Sequence, residues 1–121
     1  MSDRIRKTFE KKEKKLVTFT TGGDPNLDTS LEILNTIINN GIDVVEIGMP
    51  FSDPMADGPT IQESSVRSIA NGTKMNDILE IVNKIRKLNN EIPIILMGYY
   101  NSIFNMGIKN FTSKCADVGV D

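Results

Sequence analysis

The sequence predicts an α/β fold: a parallel sheet sheathed by helices, with about the first three strand-helix units present. Three observations lead there. Leu16–Thr21, Ile42–Gly48 and Ile92–Met97 are short runs rich in β-branched and apolar residues. The segments between them carry apolar residues at helical spacing and leave room for a crossover. The strands are nearly continuous in apolar residues, which suits a sheet covered on both faces rather than one washed on one side.

Taken in order, the first segment is basic, with Arg4, Arg6, Lys7, Lys11, Lys12, Lys14 and Lys15 interrupted by Asp3, Glu10 and Glu13. Ile5 and Phe9 stand on one helical face, so a solvated amphipathic helix covering the bottom of a domain is expected. A patch for an anionic partner is the competing reading, but no aromatic interleaving supports nucleic-acid binding. Leu16–Thr21 then reads as a strand that stops at Gly22-Gly23-Asp24-Pro25. Leu27, Leu31, Leu34, Ile37 and Ile38 give the next segment one buried helical face, and Gly41 supplies its C-cap.

After the second strand comes the loop Met49–Pro59. Thr60-Ile61-Gln62-Glu63 has capping-box spacing, which predicts a helix starting there and ending near Asn71-Gly72. Thr73 is placed to cap the following helix, whose apolar face is Ile78, Leu79, Val82, Ile85 and Leu88. Arg86 and Lys87 fall near its C-terminus, where the helix dipole favours cations. Pro93 is tolerable at the start of the third strand. A final helix carries Ile108, Phe111, Cys115 and Val118 and stops at Gly119; Cys115 on that stripe reads as a packed thiol rather than a nucleophile. Asp121 falls where a further strand is due.

Composition narrows the chemistry. The chain has 121 residues, a formal net charge of -2, one cysteine and no histidine. A histidine-based triad, an HExxH zinc site and imidazole acid/base work are thereby excluded within it, leaving carboxylates, tyrosine, lysine or bound water to move protons. No apolar run approaches the roughly 20 residues of a membrane helix, and the charged first fifteen residues lack a signal-peptide core. With a single cysteine, a cytosolic setting is expected. No Gly-x-Gly-x-x-Gly follows the first strand and no Walker sequence occurs, so nucleotide-binding open sheets lose weight. A closed β/α barrel needs eight units and about 250 residues, which makes this chain slightly less than half of one.

Two carboxylates stand out. Glu46 interrupts Val44-Val45-Glu46-Ile47 near the C-terminal end of the second strand, where parallel β/α folds place ligands. An ionised group there loses hydration, so its penalty is offset or its pKa rises. Catalysis and a structural acid bonded to neighbouring backbone or hydroxyl groups are the two readings. Asp57, between Ala56 and Gly58, lies in a loop stiffened by Pro50, Pro54 and Pro59. It is a second mouth carboxylate, an Asx-turn acid or a helix cap; spacing does not choose. Two carboxylates in different surroundings suit divided roles, one poised to exchange a proton and one kept ionised. A glycosidase pair lacks its usual sugar-stacking aromatics here, and a two-carboxylate metal site lacks further ligands. Phe19, Met97, Tyr99 and Phe104 lie near the same strand ends; each alone reads as core, and together they suit a flat apolar ligand with a polar handle.

Thr21-Gly22-Gly23-Asp24-Pro25, the long run from Glu46 through Gln62 (EIGMPFSDPMADGPTIQ), and Tyr99-Tyr100-Asn101 followed by Phe104, Gly107 and Ile108 closely resemble the tryptophan synthase alpha chain family. The likeness runs from about Phe9 to Asp121. It implies a TIM (β/α)8 barrel of which residues 1–121 are the N-terminal part of one domain, with only the first three or so units present. It also implies a retro-aldol lyase that cleaves indole-3-glycerol phosphate to indole and glyceraldehyde 3-phosphate late in tryptophan synthesis. Glu46 matches the family's acid/base glutamate and Asp57 its substrate-orienting aspartate. Phe19, Met97 and Tyr99 match substrate-pocket positions. Pro50, Asp53, Pro54 and Asn101 match the side that meets the beta chain. The resemblance implies no cofactor or metal in this chain, pyridoxal phosphate in the beta partner, and an alpha2-beta2 heterotetramer. A free-standing indole-glycerol phosphate lyase, or a catalytically incomplete portion that only binds the beta chain, are the alternatives. Met49, Met55 and Met97 stand where the family commonly has branched aliphatics, and Gly22 replaces a usually larger residue. The family's phosphate-binding region and a later active-site tyrosine have no counterpart before Asp121.

Overall fold

The computed structural model describes residues 2–121. Its elements are α1 (Asp3–Glu10), β1 (Val17–Thr21), α2 (Leu27–Asn39), β2 (Val44–Gly48), α3 (Pro59–Ala70), α4 (Met75–Leu88), β3 (Ile94–Met97), α5 (Tyr100–Met106) and α6 (Ile108–Val118). The strands form one parallel sheet in the order β1-β2-β3. It is open, so the α/β reading holds and the architecture is a three-stranded portion of a β/α barrel.

Register and alternation divide the sheet. Val45, Ile47 and Ile94 point to the face covered by helices and join one core with Leu34 and Ile38 of α2 and Ile78, Ile81, Val82 and Ile85 of α4. Full burial of such side chains contributes about 1.5–3 kcal/mol each. Phe19 pairs with Glu46 and Glu46 with Ile95; two residues on, Thr21 pairs with Gly48 and Gly48 with Met97. These two rows lie on the opposite face, the one a closed barrel would turn inward.

Helix ends account for most departures from expectation. α2 is capped by the Asn26 side chain, which accepts from the Thr29 N–H at 2.9 Å, and it gives way to Gly41 at φ +87°. α3 begins one residue early, at Pro59 with Gly58 as N-cap, and the expected Thr60 capping box does not form. Proline at the first helical position presets φ and loses only an N–H that would have been free. Thr73 does not cap α4 either: Lys74 is the N-cap, and its N–H is bonded by the Asp77 carboxylate at 2.8 Å. Thr73 is buried against Gly23 instead, at the turn after β1.

The sequence reading also passed over α5, seven residues whose only strong signal is Tyr100 and Phe104 four apart. Gly107, at φ +85°, ends it and lets α6 start at once. α1 lies where a bottom cover is expected: Arg4 donates to the Asn90 carbonyl at 2.7 Å and the Asn90 side chain at 2.8 Å, just before β3. Its apolar face is only partly covered, since Ile5 is half-buried and Phe9 exposed. Asp121 is not in a strand, but its N–H bonds the Ile94 carbonyl at 2.9 Å, the first link on the free edge of β3.

Candidate active site

A cavity of about 230 Å³ opens at the C-terminal ends of the three strands. Phe19 and Thr21 come to it from β1, Gly48 and Met49 from the end of β2, and Met97 and Tyr99 from the end of β3. Phe51 and Asp57 reach it from the loop after β2. The lining is mainly apolar with one carboxylate, the composition expected of a small-molecule site.

Gly48 makes the cavity floor possible. A Cβ there would lie 2.6 Å from Phe19 Cζ and 2.9 Å from Cε2, so the ring lies across the glycine. We expect Gly48→Ala to displace that ring and destabilise the chain by about 1–3 kcal/mol, the usual penalty for overpacking. Urea unfolding measures it; an unchanged midpoint would mean the ring moves freely.

Asp57 is fixed by its surroundings. Its N–H donates to the Pro54 carbonyl at 3.0 Å, and its own carbonyl accepts from the Gln62 amide at 2.8 Å. The Tyr99 hydroxyl accepts from the Ala56 N–H at 2.8 Å and donates to Asp57 Oδ2 at 3.1 Å. Phe51 stacks on the Tyr99 ring, centroids 5.0 Å apart and planes 23° from parallel. The helix-cap alternative therefore falls: Gly58 is the N-cap of α3, and the Asp57 side chain turns to Tyr99 and the cavity instead.

Glu46 sits differently. It is half-buried on the inward face between Phe19 and Ile95, two residues before Gly48, and does not line the cavity. Among the described residues no hydrogen bond ties it to a neighbouring backbone or hydroxyl group, as a structural acid would require. The two carboxylates thus share the inward face and the strand-end region without sharing one cavity wall.

Of the apolar candidates, Phe19, Met97 and Tyr99 line the cavity. Phe104 does not: it is 68% exposed on α5, its ring 6.0 Å from that of Tyr100. Pro50 and Pro54 are half-buried, and Asp53 and Asn101 are exposed. Met55, at the loop tip, is 87% exposed.

A set of buried hydroxyls bolts α3 and α2 to the end of β1. Thr21 and Ser64 share a 2.6 Å hydrogen bond, Ser68 donates to the Gly22 carbonyl at 2.7 Å, and Ser30 accepts from the Gly23 N–H at 2.9 Å. Arg67 clasps Asp24 with two bonds of 2.8 and 2.9 Å. Sequence reasoning missed this set; its only trace was the spacing of Ser64 and Ser68, four residues apart on an otherwise ordinary helix. Cys115 is half-buried, and burial pushes its thiol pKa up, which disfavours the thiolate. Among the described residues no cluster of three or more potential metal ligands occurs, and no helix is long and apolar enough to cross a membrane.

Residues 5–121 match the family model described as tryptophan synthase alpha chain. The alpha chain of Geobacter sp. (strain M21) is 50% identical over 121 residues, covering 100% of this chain and 45% of that protein. The alpha chain of Geotalea daltonii is 51% identical over 122 residues, covering 98% and 46%. In solved structures, tryptophan synthase subunit alpha from Legionella pneumophila str. Paris superposes with a TM-score of 0.96 at 38% identity, covering 100% of this chain and 48% of that one. A chain of the tryptophan synthase complex from Pyrococcus furiosus does so with a TM-score of 0.82 at 40% identity, covering 88% and 43%.

The chain thus spans slightly under half the length of the relatives it matches. That span corrects the expectation of a lyase that cleaves indole-3-glycerol phosphate: these 121 residues hold three strands and one wall of a site, and the incomplete alternative fits them better. Within that span, the chain belongs to the tryptophan synthase alpha chain family.

Proposed function

We propose that these 121 residues form a catalytically incomplete portion of an alpha chain, the N-terminal part of a single TIM-barrel domain. It carries an indole-facing wall and the face that docks a tryptophan synthase beta chain. The observation that carries this reading is the cavity at the strand ends, walled on one side by Phe19, Met97, Tyr99 and Asp57, with these 121 residues supplying three strands of the sheet. A barrel site takes residues from the ends of several strands, so one wall positions a ring without gripping a whole substrate.

In this reading Phe19 and Met97 pack the flat faces of an indole ring, and Asp57 accepts its N–H. A carboxylate there also stabilises positive charge on the ring, which grows as the ring is protonated. Glu46 is the proton-exchanging carboxylate that this portion contributes, set deeper on the same face. Neither acid supplies the grip on a phosphate that cleavage of a phosphorylated substrate needs.

Pro50, Asp53, Pro54 and Asn101 form the partner-facing side, where Met55, Tyr100 and Phe104 add exposed apolar surface. The Tyr99–Ala56 bond joins the loop to the segment leading into α5, so the loop and that helix present a common face. The partner's pyridoxal phosphate chemistry, the alpha2-beta2 assembly and a cytosolic setting belong to the same proposal.

The test is direct. The 121-residue chain is incubated with indole-3-glycerol phosphate, with and without a beta chain, while indole release and complex formation are followed. We expect no indole above the uncatalysed background and a measurable complex. Sustained turnover would overturn the incompleteness, and absence of any complex would overturn the docking role.

A further inference from the structure

We propose that Tyr99 is a positioning residue that holds Asp57 across the cavity mouth and leaves one carboxylate oxygen for a single N–H donor on a bound ring. The polarity of the hydrogen bonds dictates this. The Tyr99 hydroxyl accepts from the Ala56 N–H at 2.8 Å. A backbone N–H can only donate, so it takes one lone pair of the phenol and leaves the phenol's own proton for Asp57 Oδ2, 3.1 Å away. The hydroxyl is therefore a directed link, not a freely rotating one.

Three consequences follow for the site. Asp57 Oδ2 already accepts the tyrosine proton, so Oδ1, without a hydrogen-bond partner among the described residues, is the less encumbered atom for a ligand. A bidentate cation such as guanidinium would have to share Oδ2 with the tyrosine proton, whereas a ring with one N–H needs Oδ1 alone. The loop also depends on the same phenol: Ala56 is tied to it, Phe51 stacks on its ring, and Asp57 follows Ala56 and precedes Gly58, the N-cap of α3. Tyr99 itself sits at the N-cap of α5, directly after β3, on backbone anchored by the sheet. The strand end thus adds its hold to the loop's own bond from the Asp57 N–H to the Pro54 carbonyl.

The inference rests on the proposal that Asp57 accepts a ring N–H, and the test separates the two. Tyr99→Phe keeps the ring and its stack on Phe51 while deleting only the hydroxyl. Two readouts are taken on the 121-residue chain: amide hydrogen exchange at Ala56, with Val45 and Ile47 of β2 as internal controls, and titration with indole and with 1-methylindole, which lacks the donor.

In Tyr99→Phe the Ala56 amide should exchange at least about tenfold faster while the β2 amides are unchanged, as for a locally opened loop. The preference for indole over 1-methylindole should shrink by about fivefold, the loss of one ordinary hydrogen bond's worth of discrimination, with 1-methylindole binding unaltered. Unchanged Ala56 exchange would overturn the positioning role. Equal weakening of both ligands would also overturn it, because a merely structural tyrosine moves both alike. If the unsubstituted chain binds the two ligands equally, the N–H acceptor role of Asp57 fails, and with it the ligand half of this proposal, while Ala56 exchange still decides the strap.

Discussion

Asp121→Ala is expected to destabilise the chain by about 3–5 kcal/mol, the range found when one partner is removed from a buried ion pair. The Asp121 side chain is fully buried, and the Arg86 side chain is only 8% exposed. One carboxylate oxygen accepts from Arg86 at 2.6 Å and from the Ile94 N–H at 2.9 Å; the other accepts from Arg4 at 3.1 Å. Arg86 also donates to the carbonyls of Gly119 at 2.8 Å and Ile92 at 2.7 Å. This cluster therefore joins α1, α4, the start of β3 and the end of the chain below the sheet. Removing the carboxylate leaves a guanidinium in a place that already pushes its pKa down by burial and by the nearby Arg4 charge. It also strips the Ile94 N–H of its acceptor.

The same group sets an acid limit. Burial alone would raise the Asp121 pKa, but the Ile94 N–H, the Ser2 and Arg4 hydrogen bonds and the Arg86 charge outweigh it and hold the carboxyl below its ordinary 3.8. A depressed native pKa means the unfolded chain takes up the proton first as pH falls. The stabilisation is thus complete above the ordinary value and drains away below it, as pH passes down towards the native pKa. Urea midpoints of the parent and Asp121→Ala across pH 2.5–7 measure both effects. A constant gap between the two curves down to the lowest pH would refute the linkage, and a gap near zero at neutral pH would refute the clamp.

How far the sequence carries the fold depends on the kind of signal. The strand positions were legible because Val44-Val45 and Ile47, or Ile94-Ile95-Leu96, are short apolar, β-branched runs bounded by turn residues, which suit a buried pleated surface. The starts of α3 and α4 were not, because Thr60 and Thr73 have the right chemistry for caps while Pro59 and the Lys74–Asp77 pair were equally local competitors. α5 was missed since seven residues hold too few turns for a periodic pattern. Asp121 is the sharpest case: its aspartate identity was plain, yet its partners come from positions 4, 86 and 94. Contacts that distant leave no periodic trace.

The site divides along the same line. Asp57 was open between three readings until the Tyr99 phenol, 42 positions away, fixed its direction. Phe19, Met97 and Tyr99 line the cavity at the strand ends, while Phe104 stands on the surface because an unrecognised helix carries it. Glu46 kept its face of the sheet but stands a layer below the cavity. Alternation tells which face a strand residue takes; depth along the barrel depends on what fills the layer above, here the Phe19 ring across Gly48.

Phe104→Asp is expected to weaken association with a beta chain by about 2–4 kcal/mol, roughly thirtyfold to nearly a thousandfold, if this face is the docking surface. Phe104 and Tyr100 form an aromatic pair four residues apart on α5, both more than half exposed, with no intramolecular role that needs their exposed rings. Exposed aromatics that bury on association are typical anchors, because their large area is desolvated at little rotamer cost. A charge placed there would be desolvated without a partner, adding a penalty to the lost area. Since the ring is already 68% exposed, the substitution should leave the fold's stability within about 0.5 kcal/mol, so weakened binding would not reflect unfolding. Leu88→Asp is the matched control: Leu88 is 76% exposed, but it ends α4 at the opposite end of the sheet, by the chain segment that leads into β3. Calorimetric or surface-binding titration of the three chains against a beta chain compares them directly. Loss at Phe104 with retention at Leu88 places the partner over α5 and the Met55 loop; equal loss at both would mean only a general response to added charge, and no loss at Phe104 would move the docking face elsewhere.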